Sequence, residues 1–558
     1  MQRVISAAEM REIDRLTTER YATPSLLLME AAAAAAARSI AAQFPEGLAD
    51  KTARVICGRG NNGGDGAALA RALWLAGVRT DVVLLGRVEE TRGDAHVNFE
   101  IVRHLASFEA GSRQSPPPLT FIECESIADW EEAARPRHTY QIIVDALFGT
   151  GLTRVLEGVP LMVVEHLALI RRARARACEK DPLIVSLDMP SGLNADSAEV
   201  TGEVVCADLT VTFTAPKPAN VLPPASHYNG RLVIANIGSP PALIEASSSQ
   251  LFLTEQSDAR RWLEETRYSP DSYKNRHGHA LLIAGSRGMA GAAVLCANAA
   301  MRAGAGLVTV ATPESALPMV AARLMPEVMT AALPETADGA VSFEAVARVM
   351  ELRESADVVA IGPGLTSTDE STRRFVREIV ERRNTPVVVD ADGLNALAPW
   401  PEDLSHDLTG HPIILTPHPG EMLRLMGTTE SASLADRVAA AREFATAHSC
   451  ILVLKGTRTL IASADGRVHI NPTGNAGLGT AGAGDTLTGI ITGFNAQAFA
   501  TLREDADARA ATIAAVYTSG LAGDLAAQKL GMRTMTASDI GKNLSAAICA
   551  LDAEGERP

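Results

Sequence analysis

Short apolar runs rich in β-branched residues recur from residue 53 to 237, each followed by a helical stretch, and this alternation limits the fold more than any other feature. The runs are RVIC (54–57), TDVVLL (80–85), LTFI (119–122), YQIIVDAL (140–147), LIVSLDM (183–189) and LTVTFT (209–214). Runs of this kind are buried on both faces, which is the condition of a parallel sheet between two helical layers. Two helices are expected ahead of them across 7–44, the second through EAAAAAAA, where alanine favours helix and close approach. A second series follows: HALLIAG (279–285), LVTVAT (307–312), DVVAIG (357–362), PVVVDA (386–391), PIILTP (412–417), ILVLKG (451–456) and TLIAS (459–463). The end of the chain reads as helical and alanine-rich. At 558 residues the chain is too long for one core. The expected organisation is an α/β domain over 1–240, a linker or entry segment over 241–275, and a second α/β domain over 276–558.

The net charge of −15 leaves no basic excess to displace counterions from a nucleic acid, and 4% aromatic residues give little for bases to stack on. The seven cysteines are scattered without C-x-x-C spacing, so neither a disulfide framework nor a zinc site is expected. The opening MQRVISAAEMREIDRLT has no apolar leader core, and no run of about 18 apolar residues follows. The expectation is a soluble, cytoplasmic protein with neither a nucleic-acid nor a membrane partner.

The segment GRGNNGGDGAALARAL (58–73) follows the strand RVIC and opens a helix. Its glycines let backbone approach a ligand, and a helix N-terminus offers free amides to an anion; the alternative is a tight strand-to-helix turn. Asn61 and Asn62 could bind hydroxyls, phosphates or a cation, whereas Asp65 would repel a diphosphate. DALFGTGLTR (145–154) and LDMPSGLNAD (187–196) fall at strand ends, where an open parallel sheet places its ligand crevice. Asp145 and Asp188 there could act as acid or base, or hold a hard cation with Ser191 and Asn62, or simply cap turns.

In combination NNGGDG, DALFGTGL, DMPSG and TFTAPKP (212–218) resemble the NAD(P)H-hydrate epimerase family over about 1–240. The resemblance implies a Rossmann-like three-layer sandwich that interconverts the two epimers of the hydrated nicotinamide ring. It implies that Asn61, Asn62, Gly63, Gly64 and Asp65 hold the hydrate, together with Gly149, Thr150, Gly151, Leu152, Thr153, Arg154 and Val155. Asp188 would stand at the reacting hydroxyl, and Asn62, Asp145 and Ser191 would bind a potassium ion. Lys217 is the nearest cation to assist; the alternative is a surface lysine with its head in solvent.

Downstream, NPTGNAGLGTAGAGDTLTG (471–489) has six glycines and one carboxylate. It lacks G-x-x-x-x-G-K-[ST], so it is not a Walker loop. Amides of Ala483, Gly484 and Asp485 at a helix start suit a transferring phosphoryl group, and Asp485 is placed to deprotonate an attacking hydroxyl. The G-A-G-D arrangement resembles the ribokinase-like superfamily. With HALLIAGSRGMAGAAVLCANAAMRAGAGLV (279–308), IGPGL (361–365), LTPHPGEM (415–422) and LKGTRTLIA (454–462) it is similar to the ADP/ATP-dependent NAD(P)H-hydrate dehydratases over about 260–545.

The resemblance implies that Gly364, His418, Pro419, Gly420, Glu421, Met422, Leu423, Arg424 and Asp485 face the hydrate. It assigns Lys455, Gly456, Thr457, Arg458 and Thr459 to the adenine nucleotide. Asn475, Ala476, Gly477, Leu478, Gly479, Thr480, Ala481, Gly482, Ala483 and Gly484 belong to the same nucleotide site. The chain departs from relatives that often have glycine at position 366, proline at 476 and serine at 483, where it has Thr366, Ala476 and Ala483.

The expected function is repair of hydrated NADH and NADPH. One domain exchanges the R and S epimers with Asp188 and K+. The other dehydrates the S form with Asp485, Mg2+ and ADP or ATP, and a homo-oligomer is expected. The alternatives are a vitamin or sugar kinase fused to a dinucleotide-binding module, which would release a phosphorylated product, and a non-catalytic dinucleotide sensor.

Overall fold

The computed structural model describes residues 1–109, 118–135, 138–178, 181–406 and 411–552. The chain forms two compact units, 2–249 and 250–558.

In the first unit seven strands lie in the order Leu119–Cys124, Arg79–Leu85, Thr52–Cys57, Ile142–Ala146, Leu183–Leu187, Leu209–Phe213, Arg231–Ala235, and every pairing is parallel. In chain order this is 3-2-1-4-5-6-7, the doubly wound Rossmann arrangement, whose order reverses between Thr52–Cys57 and Ile142–Ala146. Helices Ser25–Ala41, Asn61–Leu75 and Gly93–Glu109 cover one face, while Ile127–Ala134 and Gly158–Ala177 cover the other. The alanines at 32, 33, 35 and 36 are buried against the sheet side, so the polyalanine run serves close packing.

The second unit is built on the order Leu251–Leu253, Val468–Ile470, Leu460–Ala462, Ile451–Leu454, Ile413–Leu415, Val387–Val389, Val358–Ile361, His279–Ile283, Leu307–Pro313, Met329–Leu333. The run from Ile451–Leu454 to Met329–Leu333 is parallel, and Leu460–Ala462 is antiparallel to both of its neighbours. Helix Ala483–Leu502 lies along helix Ala290–Arg302. A Cβ on Gly489 would come within 2.0 Å of Cys296 O, and one on Gly493 within 2.8 Å of Ala300 O. Gly489, the last glycine of the downstream loop, therefore serves helix packing and not phosphate. Trp262 stacks on Phe494 at 4.1 Å beneath the same helix.

Residues 241–275, expected as a linker, instead carry the helices Pro241–Glu245 and Gln256–Glu265 and the strand Leu251–Leu253. The polar SSSQ masks a strand only three residues long, with its two leucines buried. Among the described residues no helix is long and apolar enough to cross a membrane.

Candidate active sites

In the first unit, Asp145 ends the central strand Ile142–Ala146 and is fully buried. Ser191 Oγ (2.6 Å) and Leu147 N (3.3 Å) donate to its Oδ1, and Ser186 Oγ (2.8 Å) and Ser191 N (2.9 Å) to its Oδ2. Burial pushes its carboxyl up, and these donors pull it part of the way back.

Asp188 stands just past Leu183–Leu187 at φ +59°, a left-handed backbone that a side chain holds only under constraint. Its amide donates to Val211 O at 2.8 Å. The Lys217 ammonium (2.6 Å), Thr212 Oγ1 (3.1 Å) and Phe213 N (3.4 Å) all donate to Asp188 Oδ1. The other oxygen is turned toward Gly149, where a Cβ would lie 3.0 Å from Asp188 Oδ2 and 3.5 Å from Asn62 Oδ1. Glycine at 149 thus leaves open the space between the two.

Lys217 is 1% exposed, so the surface-lysine alternative is wrong. Its ammonium also donates to Thr212 Oγ1 (2.9 Å) and Phe213 O (3.1 Å), which uses all three protons. It fixes Asp188 and has none left for a ligand.

Asn62 is buried, and among the described residues neither its amide oxygen nor its amide nitrogen has a partner. A buried amide left unmatched in this way calls for a ligand. Asn62 Oδ1, Asp145 and Ser191 form an oxygen-only donor set, the kind that suits a hard cation.

The glycines of the upstream loop have a packing purpose that the sequence did not announce. A Cβ on Gly58 would meet Leu147 O at 2.1 Å, on Gly63 Gly58 O at 1.7 Å, and on Gly66 Ala146 Cβ at 2.6 Å. A Cβ on Gly64 would meet Ala95 at 2.7 Å, and only Gly60 of this loop is open. These glycines seat the helix on the strands, and Asn62 and Gly149 border the open space beside Asp188. Of 149–155, Leu152 turns into the core and its side chain cannot face a ligand, while Thr153, Arg154 and Val155 are exposed.

Two further carboxylates share this site. Asp65, on helix Asn61–Leu75, is raised well above the ordinary range by burial and then by the charges of Asp188 and Asp14, with Lys217 opposing. Asp14, on helix Ala7–Tyr21, is raised to about 6 by burial, and its Oδ1 is buried without a partner. Sequence reasoning missed Asp14, which lies far upstream of every motif.

In the second unit the carboxyl ends of the parallel strands gather a cluster around one ammonium. The Lys455 Nζ lies 2.8 Å from Asp390 Oδ1 and 3.7 Å from Glu421 Oε2. Asp390 is fully buried and also accepts from Thr416 Oγ1 (2.8 Å) and Thr488 Oγ1 (2.7 Å). Burial alone would raise its carboxyl, but the Lys455 charge and these donors hold it below the ordinary value. Asp485, in the first turn of Ala483–Leu502, is raised to about 6, by burial first and then by Asp390, with Lys455 pulling it down. Asp392 and Glu421 add to the rise.

Gly482 caps the helix at φ +84°. A Cβ on Gly484 would stand 3.4 Å from Lys455 Nζ and 3.9 Å from Asp390 Oδ2, so glycine keeps the space above the helix start clear beside a cation. The amides of Gly484 and Asp485 have no internal partner among the described residues, whereas that of Ala483 donates to Thr480 O at 3.3 Å. The cradle therefore rests on two free amides, one fewer than expected.

Several expected contacts resolve into supports. His418 Nδ1 accepts from Gly420 N (3.0 Å) and Glu421 N (3.3 Å), so it caps helix Pro419–Leu425, and its Nε2 lies 3.4 Å from Glu421 Oε1. Met422 is fully buried and cannot face the hydrate. Leu478 anchors its loop, since a Cβ on Gly523 would meet it at 2.6 Å. Asn475 caps the turn Ala476–Gly479 with extended backbone and donates to Asp524 Oδ1 at 2.9 Å. Proline would fit position 476, and alanine keeps the same turn. Arg437 donates to Thr457 O (2.9 Å) and Lys455 O (3.3 Å), bracing the turn that carries Lys455.

Thr366 sits at φ +66° with its hydroxyl 2.9 Å from Ser286 Oγ, which explains why glycine is common there. Asp390 and Asp392 were legible only as the end of a strand, VVVDADG, though that is where an α/β ligand crevice lies.

Residues 25–219 match the family model described as the YjeF-related protein N-terminus, and residues 280–546 match that of NAD(P)H-hydrate dehydratase. The bifunctional NAD(P)H-hydrate repair enzyme of Moorella thermoacetica is 39% identical, over 96% of this chain and 95% of its own. The enzyme of the same name from Escherichia coli is 34% identical, over 88% and 84%. A crystal structure of the ADP/ATP-dependent NAD(P)H-hydrate dehydratase from Bacillus subtilis, co-crystallised with ATP/Mg2+, is 31% identical. It covers 54% of this chain and 98% of its own, with a TM-score of 0.46.

Proposed function

The chain belongs to the bifunctional NAD(P)H-hydrate repair enzymes, and from that membership we propose how its two sites divide the work. The first unit exchanges the epimers of hydrated NADH and NADPH. The second removes water from the S epimer using ADP or ATP. The observation that carries the second assignment is Asp485, a carboxylate without a hydrogen-bond partner among the described residues, raised to about 6 beside two free amides and Lys455.

In the second unit, Asp485 takes the proton of the C6 hydroxyl. The oxygen attacks the terminal phosphorus of the nucleotide, and the bond to the bridging oxygen breaks. The amides of Gly484 and Asp485 and the Lys455 ammonium stabilise the charge of the moving phosphoryl group. Phosphate then leaves C6, the ring nitrogen lone pair assists, and loss of a proton from C5 restores the double bond. Asp392, an oxygen donor beside Asp485, is suited to hold Mg2+, which would neutralise nucleotide charge.

In the first unit, Asp188 Oδ2 stands at the open space beside Gly149 and serves the loss and return of the C6 hydroxyl. Asn62, Asp145 and Ser191 would hold K+, which would supply fixed positive charge for orienting the hydrate. Adding the protein to S hydrate with ATP or ADP and magnesium should release one inorganic phosphate per dihydronicotinamide regained. A stable phosphorylated product would favour a vitamin or sugar kinase instead.

A further inference from the structure

The carboxylates of the first unit fall into two classes. Both oxygens of Asp145 are engaged by four donors, and Asp188 Oδ1 accepts from an ammonium, a hydroxyl and an amide. Donors of this kind favour the charged form of a carboxyl. Asp65 and Asp14 accept no hydrogen bond among the described residues, and Asp14 Oδ1 is buried. Only the charge of Lys217 favours their charged form, and its three protons are already given to Asp188, Thr212 and Phe213. The unmatched amide of Asn62, itself buried, marks the same space as a ligand site.

Epimer exchange needs both kinds of group. The C6 hydroxyl of a carbinolamine departs as water when an acid delivers a proton, leaving a ring iminium. A base must then take a proton from the water that returns to the other face. One carboxylate held as an anion cannot do both at once. Carboxyls whose environments push them apart are the ones that divide acid and base roles.

We propose that Asp65 delivers the proton to the departing hydroxyl while Asp188 remains the anion that serves the returning water, and that Asp14 is the positioning residue that keeps that proton on Asp65. The reading rests on the epimerase assignment above. Water added and water lost balance, and Asp65 regains its proton from Asp188 through solvent once the turn is complete. The titratable and charged groups that face Asp14 are Lys217, Asp188 and Asp65, and those that face Asp65 are Asp188, Asp14, Lys217 and the Cys57 thiol. Burial and the two aspartate charges together raise Asp65 well above its ordinary range.

The test follows epimer exchange by chromatographic separation of the R and S hydrates, with the full chain and no nucleotide, from pH 5 to 9. Asp65→Asn should lose about 100-fold or more at pH 7, the range for removing a general acid. Asp65→Glu should recover part of that loss, which separates lost chemistry from lost fold. An acid is active while protonated, so the parent rate falls as pH rises through the Asp65 value. Asp14→Asn removes a neighbouring negative charge and should move that falling limb to lower pH, which a merely structural role would not do. Asp65→Asn keeping more than a tenth of the parent rate would overturn the acid assignment. An unmoved limb in Asp14→Asn would overturn the positioning role. If Asp188→Asn abolishes exchange in either case, the epimerase reading stands without this inference, whereas a parent chain with no exchange overturns both.

Discussion

Replacing Asp485 by asparagine should abolish dehydration and at the same time stabilise the second unit. Its carboxyl is raised from 3.8 to about 6, mainly by burial and by the Asp390 charge. At about 1.36 kcal/mol for each tenfold change in acidity this rise gives about 3 kcal/mol, and discounting for its remaining exposure leaves about 2 kcal/mol. The sign follows from linkage. A carboxyl whose folded value exceeds its unfolded value is harder to ionise in the native state, so it costs stability above pH 3.8 and costs most above pH 6. Asp485→Asn should therefore melt higher than the parent at pH 8, by a few degrees for a unit of this size, and the gain should vanish near pH 4. The transition of the second unit is recognised by its upward shift with ATP. A gain that did not change with pH, or a loss at pH 8, would refute the electrostatic account of this site. It is also the form that a trade of stability for activity takes at a strained active site.

Dehydration itself should depend on the charged form of Asp485, so kcat/KM should fall about tenfold per pH unit below about pH 6 and be flat above it; a flat profile down to pH 5 would remove Asp485 as the base. Lys217→Met leaves Asp188 buried without its cation and should destabilise the first unit by about 3–5 kcal/mol in chemical denaturation, with Asp188→Asn in the same chain restoring much of it. Gly66→Ala would bring a Cβ to 2.6 Å from Ala146 Cβ and 2.8 Å from Cys57 Sγ and should cost about 1–3 kcal/mol, whereas Gly60→Ala enters open space and should cost little. Equal effects at the two positions would contradict the packing role assigned to the upstream glycines.

The sheet cores were legible because residues such as Val144, Val388 and Ile414 are buried on both faces, and such runs have few alternatives. The strands that escaped notice were edge or short ones. Met329–Leu333 is exposed at three of its five positions, and Val468–Ile470 places a histidine at its centre. The Rossmann-like order and the downstream cradle were readable from motif order. What a glycine is for was not, because NNGGDG reads alike whether its glycines meet a ligand or the carbonyl of Gly58. Burial of a charge was also invisible: Lys217 looks like any lysine until Asp188, Thr212 and Phe213 close around it. Asp14 and Asp390 joined their sites through tertiary packing, with no local signal beyond an acidic residue on a helix and another at a strand end.

The central claim is that one chain returns both epimers of the hydrate to the dihydronicotinamide, with phosphorylation serving only to make a leaving group. The most direct measurement adds the purified protein to an equilibrated mixture of R and S hydrate with ATP or ADP, magnesium and potassium. Dihydronicotinamide absorbance and inorganic phosphate are then followed to completion. The account predicts full recovery, one phosphate per ring restored, and no phosphorylated hydrate left at the end. Recovery that halts at the S fraction, or none at all, would contradict it.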